Sequence, residues 1–137
     1  MNPRPQIRCV VCLAWWSLLC ASSGHAAQLP IAISFVDPAS SITKGLADWT
    51  TINEELYNNV KVFDGAHPLA RGQQGKSDYV VAWTNLYQGK TRVFSTTIGH
   101  NNQTVEDPRY LDLVTRGLLW ACGKLGEDGK PLPGYGK

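Results

Sequence analysis

The chain has 137 residues, of which 13 are basic and 11 acidic, and its formal net charge is +2 with neutral histidines. This length suits one small domain with a single apolar core. The sequence lacks a basic patch interleaved with aromatic residues, so it does not show the charge pattern of a nucleic-acid-binding protein.

Residues 1–26 have the features of a cleavable export signal. Arg4 and Arg8 give a positive start, residues 9–20 are apolar, and small residues lead up to Ala26. The apolar run is shorter than the roughly 20 residues that a membrane-spanning helix needs. We therefore expect a periplasmic or extracellular protein without a stable membrane anchor after cleavage. A short anchor or a buried helix is the alternative.

Apolar and β-branched segments between turn residues predict several strands in the first half of the remaining chain. The predicted strands are Leu29–Val36, Ile52–Tyr57 and Val60–Phe63. Residues 65–77 contain three glycines and one proline without apolar periodicity, which predicts a polar loop.

The clearest β pattern is a hairpin of residues 78–84 and 91–98, with Gln88 and Gly89 in its turn. Gly99 allows a sharp turn at the end of the second strand, where His100 follows. Open α/β sheets bind ligands beyond the carboxyl ends of their strands. His100 is therefore predicted to lie at such an edge.

The last regular element is a predicted helix with Asp107 as N-cap, Pro108 in its first turn and Gly126 at its end. One apolar stripe is expected to pack on the sheet. Its members are Leu111, Val114, Leu118, Ala121, Cys122 and Leu125. Residues 127–137 are rich in glycine, proline and lysine and are expected to be a disordered tail.

Several short blocks occur in one order along the chain. They are residues 42–46 (ITKGL), 53–57 (NEELY), 81–84 (VAWT) with 89–94 (GKTRVF), 99–100 (GH) and 107–121. Together they resemble the C-terminal half of the bacterial trehalose-utilisation (ThuA-like) domain. This resemblance implies an α/β fold with a flavodoxin-like sheet, as in class I glutamine amidotransferases, with a β-hairpin and a long C-terminal helix.

The resemblance also implies a role in carbohydrate metabolism. Members of the family usually begin with a strand–loop–helix–strand region, whereas here a signal-like segment precedes the matching half. We therefore interpret residues 29–126 as a partial ThuA-like domain. Either the gene is a fragment, or the missing N-terminal half comes from a partner or from a second copy of the chain.

His100 is the first candidate catalytic residue, because the resemblance places a histidine after the last core strand. An imidazole there would act as a general acid or base, a metal ligand or a donor to a sugar hydroxyl. Strand alternation puts Glu54 and Glu55 on opposite faces, and the ELY block favours Glu55 as the carboxylate near His100. The alternatives are a histidine that only shapes its own loop and a solvated glutamate at a strand edge.

The predicted substrate-binding residues are Asn101 and Asn102, which suit hydroxyl groups, and Trp49, which would stack on a sugar ring. Two separated ligands do not define a zinc site, so the presence of a divalent metal stays open. We expect an exported protein that binds or processes a sugar or oxidised sugar, and whether it is an enzyme stays open. The alternative is a non-catalytic truncated remnant, or a carbohydrate-binding or interaction module.

Overall fold

The computed structural model describes residues 28–57, 62 and 64–136. Five strands precede two helices along the chain. They are β1 (Leu29–Phe35), β2 (Trp49–Glu54), β3 (His67–Gln74), β4 (Ser77–Tyr87), β5 (Thr91–Thr96), α1 (Asn102–Glu106) and α2 (Pro108–Ala121). The strand predicted over Val60–Phe63 falls largely outside the described residues.

The strands form one sheet in the order β2-β1-β3-β4-β5, and each neighbouring pair is antiparallel. Parallel neighbours need long crossover connections, whereas only residues 75–76 link β3 to β4. The α/β class agrees with the prediction. The flavodoxin-like arrangement is not confirmed, because the structure has a curled antiparallel sheet followed by two helices.

Strand β3 lies in the middle of this sheet, although the sequence predicts a loop over residues 65–77. Ala70 is fully buried, and a Cβ added to Gly72 would lie 2.8 Å from the side chain of Val81. Gly72 thus permits a close approach that a larger residue would prevent. In the sequence, Gly72 weakens the strand pattern. In the structure, the same residue contributes to the packing that stabilises β3.

The predicted hairpin is confirmed as β4 and β5. Gln88 and Gly89 have φ angles of 51° and 67°. Positive φ at both central residues suits the right-handed twist of paired strands. The turn therefore carries the chain from one strand directly to its neighbour.

Helix α2 begins as predicted but ends earlier. The carboxylate of Asp107 accepts a hydrogen bond from the backbone N–H of Arg109 at 2.8 Å, and Pro108 opens the helix. The last helical residue is Ala121, not a residue next to Gly126. None of the described helices is long and apolar enough to cross a membrane.

The predicted packing stripe of α2 is confirmed in part, because Val114 and Leu125 are half-buried and pack against the core. The buried residues are Tyr110, Leu113 and Gly117, whereas Leu111 and Leu118 are 47% and 43% exposed. The prediction was based on the spacing of large apolar residues, in which a glycine has no weight. It therefore missed the contact made by Gly117 and assigned the exposed Leu111 and Leu118 to the buried face. Residue 117 therefore determines which side of α2 packs on β5.

Residues 127–136 differ from the predicted disordered tail. The N–H of Gly126 donates to the carbonyl of Lys130 at 2.8 Å, and the N–H of Leu132 donates to the carbonyl of Lys124 at 2.9 Å. The glycines and prolines that predict disorder by composition here form hydrogen-bonded turns. This segment continues the ordered structure beyond α2.

Candidate functional site

The candidate site lies where the loop after β5 meets the end of β2. These two strands form opposite edges of the sheet. Helix α1 nevertheless contacts β2, while α2 contacts β5. The curl of the sheet therefore lets residues 97–101 reach from one edge to the other.

The carboxylate of Glu54 holds this loop and is 0% exposed. Its Oε1 accepts hydrogen bonds from the backbone N–H groups of Gly99 at 3.2 Å and His100 at 2.5 Å. Its Oε2 accepts from the N–H of Asn101 at 3.1 Å and the hydroxyl of Thr104 at 2.7 Å. A buried carboxylate is costly unless such donors surround it. Four donors from one loop and helix therefore converge on one side chain.

No sequence signal marks Glu54 as a buried residue. Alternation along β2 predicts that Glu54 and Glu55 face opposite ways, and the structure agrees, with Glu54 buried and Glu55 partly exposed. The resemblance directs attention to Glu55 alone. Hydrogen bonds between residues 45 to 50 positions apart, such as those from His100 and Thr104 to Glu54, leave no local pattern.

The structure brings Glu55 and His100 together, as predicted. Oε2 of Glu55 lies 3.4 Å from Nδ1 of His100, and the two side chains are 20% and 44% exposed. Charge-assisted hydrogen bonds are shorter, roughly 2.7–2.9 Å, so this is a polar contact longer than such a bond. The roles assigned to the two residues stay predictions.

A carboxylate beside Nδ1 favours the proton on that nitrogen and leaves Nε2 for another partner. None of the described residues hydrogen-bonds to Nε2 of His100. The side chain of His100 is 44% exposed, so a ligand can reach the ring from solvent. Such a pair is chemically suited to accept a proton from a hydroxyl group or to donate one to it.

Asn101 and Asn102 lie on the same segment as His100. Asn101 is the N-cap of α1, and its side-chain oxygen accepts from the N–H of Gln103 at 3.0 Å. Asn102 is exposed in the first turn of this short helix. The side chain of Asn101 is thus engaged in capping, while that of Asn102, two residues beyond His100, is exposed to solvent.

Tyr110 of α2 closes the loop from the side of the helix. Gly99 has a φ of +115°, and a Cβ added there would lie 2.7 Å from the hydroxyl oxygen of Tyr110. Burial, with a smaller effect from the negative charge of Glu54, raises the pKa of Tyr110 above its ordinary value. The phenol therefore stays protonated at neutral pH.

The structure does not bring Trp49 to the other predicted residues. It begins β2, and Glu54 ends it, which separates their backbones by roughly 16 Å at about 3.3 Å per residue. Trp49 is 6% exposed, and the guanidinium of Arg109 lies 4.7 Å from the centre of its ring. The indole is therefore a packing residue with one face covered.

Two surface depressions flank Trp49, with volumes of about 280 and 400 Å³. Neither of them is lined by Glu55 or His100. The indole nitrogen of Trp49 is buried and has no hydrogen-bond partner among the described residues. These depressions are therefore separate from the candidate site.

Metal binding was left open by the sequence. Within the part of the chain that the structure describes, no three His, Cys, Asp or Glu side chains are grouped to hold a metal ion. Glu55 and His100 would supply two ligands. A catalytic zinc ion normally takes three protein ligands and a water molecule.

The model of the ThuA family, described as trehalose utilisation, matches residues 10–121. The match contains Glu54, Glu55 and His100 and begins within the predicted export signal. No curated protein matches the chain.

Proposed function

Because the chain belongs to the ThuA (trehalose utilisation) family and so has a role in carbohydrate utilisation, we propose that it binds a sugar or an oxidised sugar at Glu55 and His100. The resemblance seen in the sequence blocks is thereby confirmed. The observation that carries the proposal is the 3.4 Å contact between Glu55 and His100. His100 lies on a loop that the buried carboxylate of Glu54 fixes in place, and Glu55 follows Glu54 directly at the end of β2.

The chemistry of the pair suits a polyhydroxylated ligand. Sugar hydroxyls both donate and accept hydrogen bonds, and an imidazole with one proton does the same. Nε2 of His100 accepts from a hydroxyl, while Glu55 beside Nδ1 orients the ring. The side-chain amide of Asn102 supplies a further donor and acceptor nearby. Trp49 has no part in this site.

Affinity measurements on the full chain test the proposal. Trehalose and an aldonic acid are titrated into wild-type protein, His100→Ala and Glu55→Gln. Loss of a direct polar contact should weaken binding by about tenfold in each variant, which corresponds to about 1.4 kcal/mol. Product analysis of the same mixtures shows whether the bound sugar is also converted.

The matched control for this experiment is His67→Ala. His67 is also an exposed histidine in an ion pair, with Nε2 2.7 Å from Oδ2 of Asp37. Its substitution should leave sugar affinity unchanged. Equal affinities in wild type, His100→Ala and His67→Ala would refute the site, and so would the absence of saturable binding to wild type.

The proposal extends to the completion of the domain. We place the described residues as the C-terminal half of a flavodoxin-like domain, completed by an N-terminal half or a second copy. Support comes from β2, whose outer edge is not paired with any described strand. Light scattering across a concentration series tests self-association: a mass that stays at one chain rules out the second copy.

Export is the remaining element of the proposal. The positive residues Arg4 and Arg8 and the apolar residues 9–20 support it. Cleavage after Ala26 should remove the first 26 residues from protein recovered outside the cytoplasm. Intact mass spectrometry of that fraction decides the point, since a full-length mass there contradicts cleavage.

A further inference from the structure

The loop that carries His100 has few internal supports of its own. Residues 97–100 belong to neither a helix nor a strand, and Gly99 adopts a φ of +115°. Three consecutive backbone N–H groups, from Gly99 to Asn101, point to the carboxylate of Glu54. Unpaired buried N–H groups are strongly disfavoured, so this carboxylate fixes the path of the loop.

The same strand end also supplies the partner of His100. Glu54 points inward and holds the backbone of His100, while Glu55 points outward and meets its side chain at 3.4 Å. Adjacent residues of β2 therefore fix both the backbone and the ring of one histidine. A shift of the loop would separate the ring from Glu55 without changing either side chain.

We propose that Glu54 is a positioning residue for the sugar site, whose buried carboxylate places His100 against Glu55 through the 99–101 loop and Thr104. This inference rests on the proposed function, because it concerns the same pair. Glu54 contacts no ligand in this account. It acts through the backbone of His100 and through the start of α1.

Thr104 offers the mildest way to weaken this arrangement. Its hydroxyl donates to Oε2 of Glu54 at 2.7 Å, and Thr104 is 1% exposed. Thr104→Val keeps the shape and removes one donor, while Thr104→Ser keeps the donor. Glu54→Gln is the direct variant, but its amide N–H₂ would face the N–H groups of the loop. If Glu54→Gln does not fold, the two Thr104 variants still decide the question.

The first readout is the nuclear Overhauser effect between the imidazole protons of His100 and the methylene protons of Glu55. Thr104→Val should weaken or abolish this signal, and Thr104→Ser, which keeps the hydroxyl, should retain it. The matched control is Thr43→Val, because Thr43 is also 1% exposed and its hydroxyl donates to the backbone of Asp37 instead. Thr43→Val should lower stability without changing the signal. An unchanged signal in Thr104→Val overturns the inference.

The second readout is trehalose affinity in a double-mutant cycle. Thr104→Val should weaken binding about fivefold in the wild-type background and cause no further loss in His100→Ala, since positioning has no effect once the ring is gone. The same loss in both backgrounds would show that Thr104 acts independently of His100 and would overturn the inference. If wild type binds neither trehalose nor the aldonic acid, the proposed function fails, while the nuclear Overhauser signals still decide the positioning role.

Discussion

The ring of Phe94 on β5 occupies the space that a side chain at position 117 of α2 would fill. A Cβ added to Gly117 would lie 2.4 Å from two carbons of that ring. Real Cβ atoms do not approach so closely, so α2 lies against β5 only because residue 117 has no side chain. This contact fixes the rotation of α2 and hence the burial of Tyr110 behind the loop.

Gly117→Ala should lower the free energy of unfolding. Alanine gains about 1 kcal/mol of helix propensity over glycine. Overpacking against Phe94 costs roughly 1–3 kcal/mol and is expected to outweigh that gain. Urea denaturation measures the difference, and the double variant Gly117→Ala/Phe94→Leu should recover part of the loss. Gly65→Ala is the control, because its nearest atom is 3.9 Å away, on Asn85. A stabilised Gly117→Ala would contradict the packing.

Gly99→Ala tests the loop that carries His100. Its φ of +115° is strained for any residue with a side chain, and the new Cβ would meet the hydroxyl of Tyr110 at 2.7 Å. We expect a loss of about 1–3 kcal/mol in unfolding free energy. Tyr110→Phe removes the hydroxyl contact but not the backbone strain, so the double variant should recover only part of the loss. Full recovery would assign the whole effect to the contact.

Removal of residues 127–137 should destabilise the protein. The amine of Lys44 donates to the carbonyl of Glu127 at 3.3 Å, and a Cβ added to Gly129 would lie 3.0 Å from the carbonyl of Ser41. The segment is therefore packed against residues 41–44. A lower midpoint in thermal unfolding is the expected result. An unchanged midpoint would support the disordered tail that the composition predicts.

The ion pair of Asp37 and His67 should make stability depend on pH on the acid side. The hydrogen bond from His67 holds the pKa of Asp37 below its ordinary value of 3.8. A carboxyl group with a lowered folded pKa stabilises the protein above its unfolded pKa, and this contribution is lost as the pH falls through the folded value. The pair lies at the surface, so its contribution is at most about 1 kcal/mol.

Asp37→Asn should accordingly lower the unfolding free energy at neutral pH and flatten its decline below about pH 4. Urea denaturation at a series of pH values measures both effects. His67→Ala should flatten the decline in the same direction, since it removes the main cause of the lowered pKa. A curve for Asp37→Asn that runs parallel to wild type over the whole range would contradict this account.

Local chemistry accounts for the elements that the sequence predicted well. The turn at Gln88 and Gly89 and the cap at Asp107 depend on residues a few positions apart, so a short window contains the whole signal. Strand β3 was missed because its support comes from neighbouring strands. In the sequence, Gly72 is typical of a loop. Its role in the strand depends on its contact with Val81, which the sequence does not show.

The candidate site was predicted in part for a similar reason. His100 follows a strong strand pattern, and the family resemblance points to Glu55, so both could be found from the sequence. The contact between them was a prediction that the structure confirms at 3.4 Å. The burial of Glu54 could not be predicted, because its four donors lie on a separate part of the chain. In the sequence, Trp49 looks like an aromatic residue that stacks on a sugar ring. Only its burial in the structure shows that it is a packing residue instead.

The carboxylate of Glu54 joins segments that are 45 to 50 residues apart in the chain. The entropy cost of closing so long a segment is larger than that of closing the short turn of the β4–β5 hairpin. The β1–β3 pairing joins residues almost as far apart, such as Ile33 and Gly72. During refolding, we therefore expect the hairpin to form first, and the full sheet and the histidine loop to follow together, so that the ligand site takes shape only as the whole domain closes.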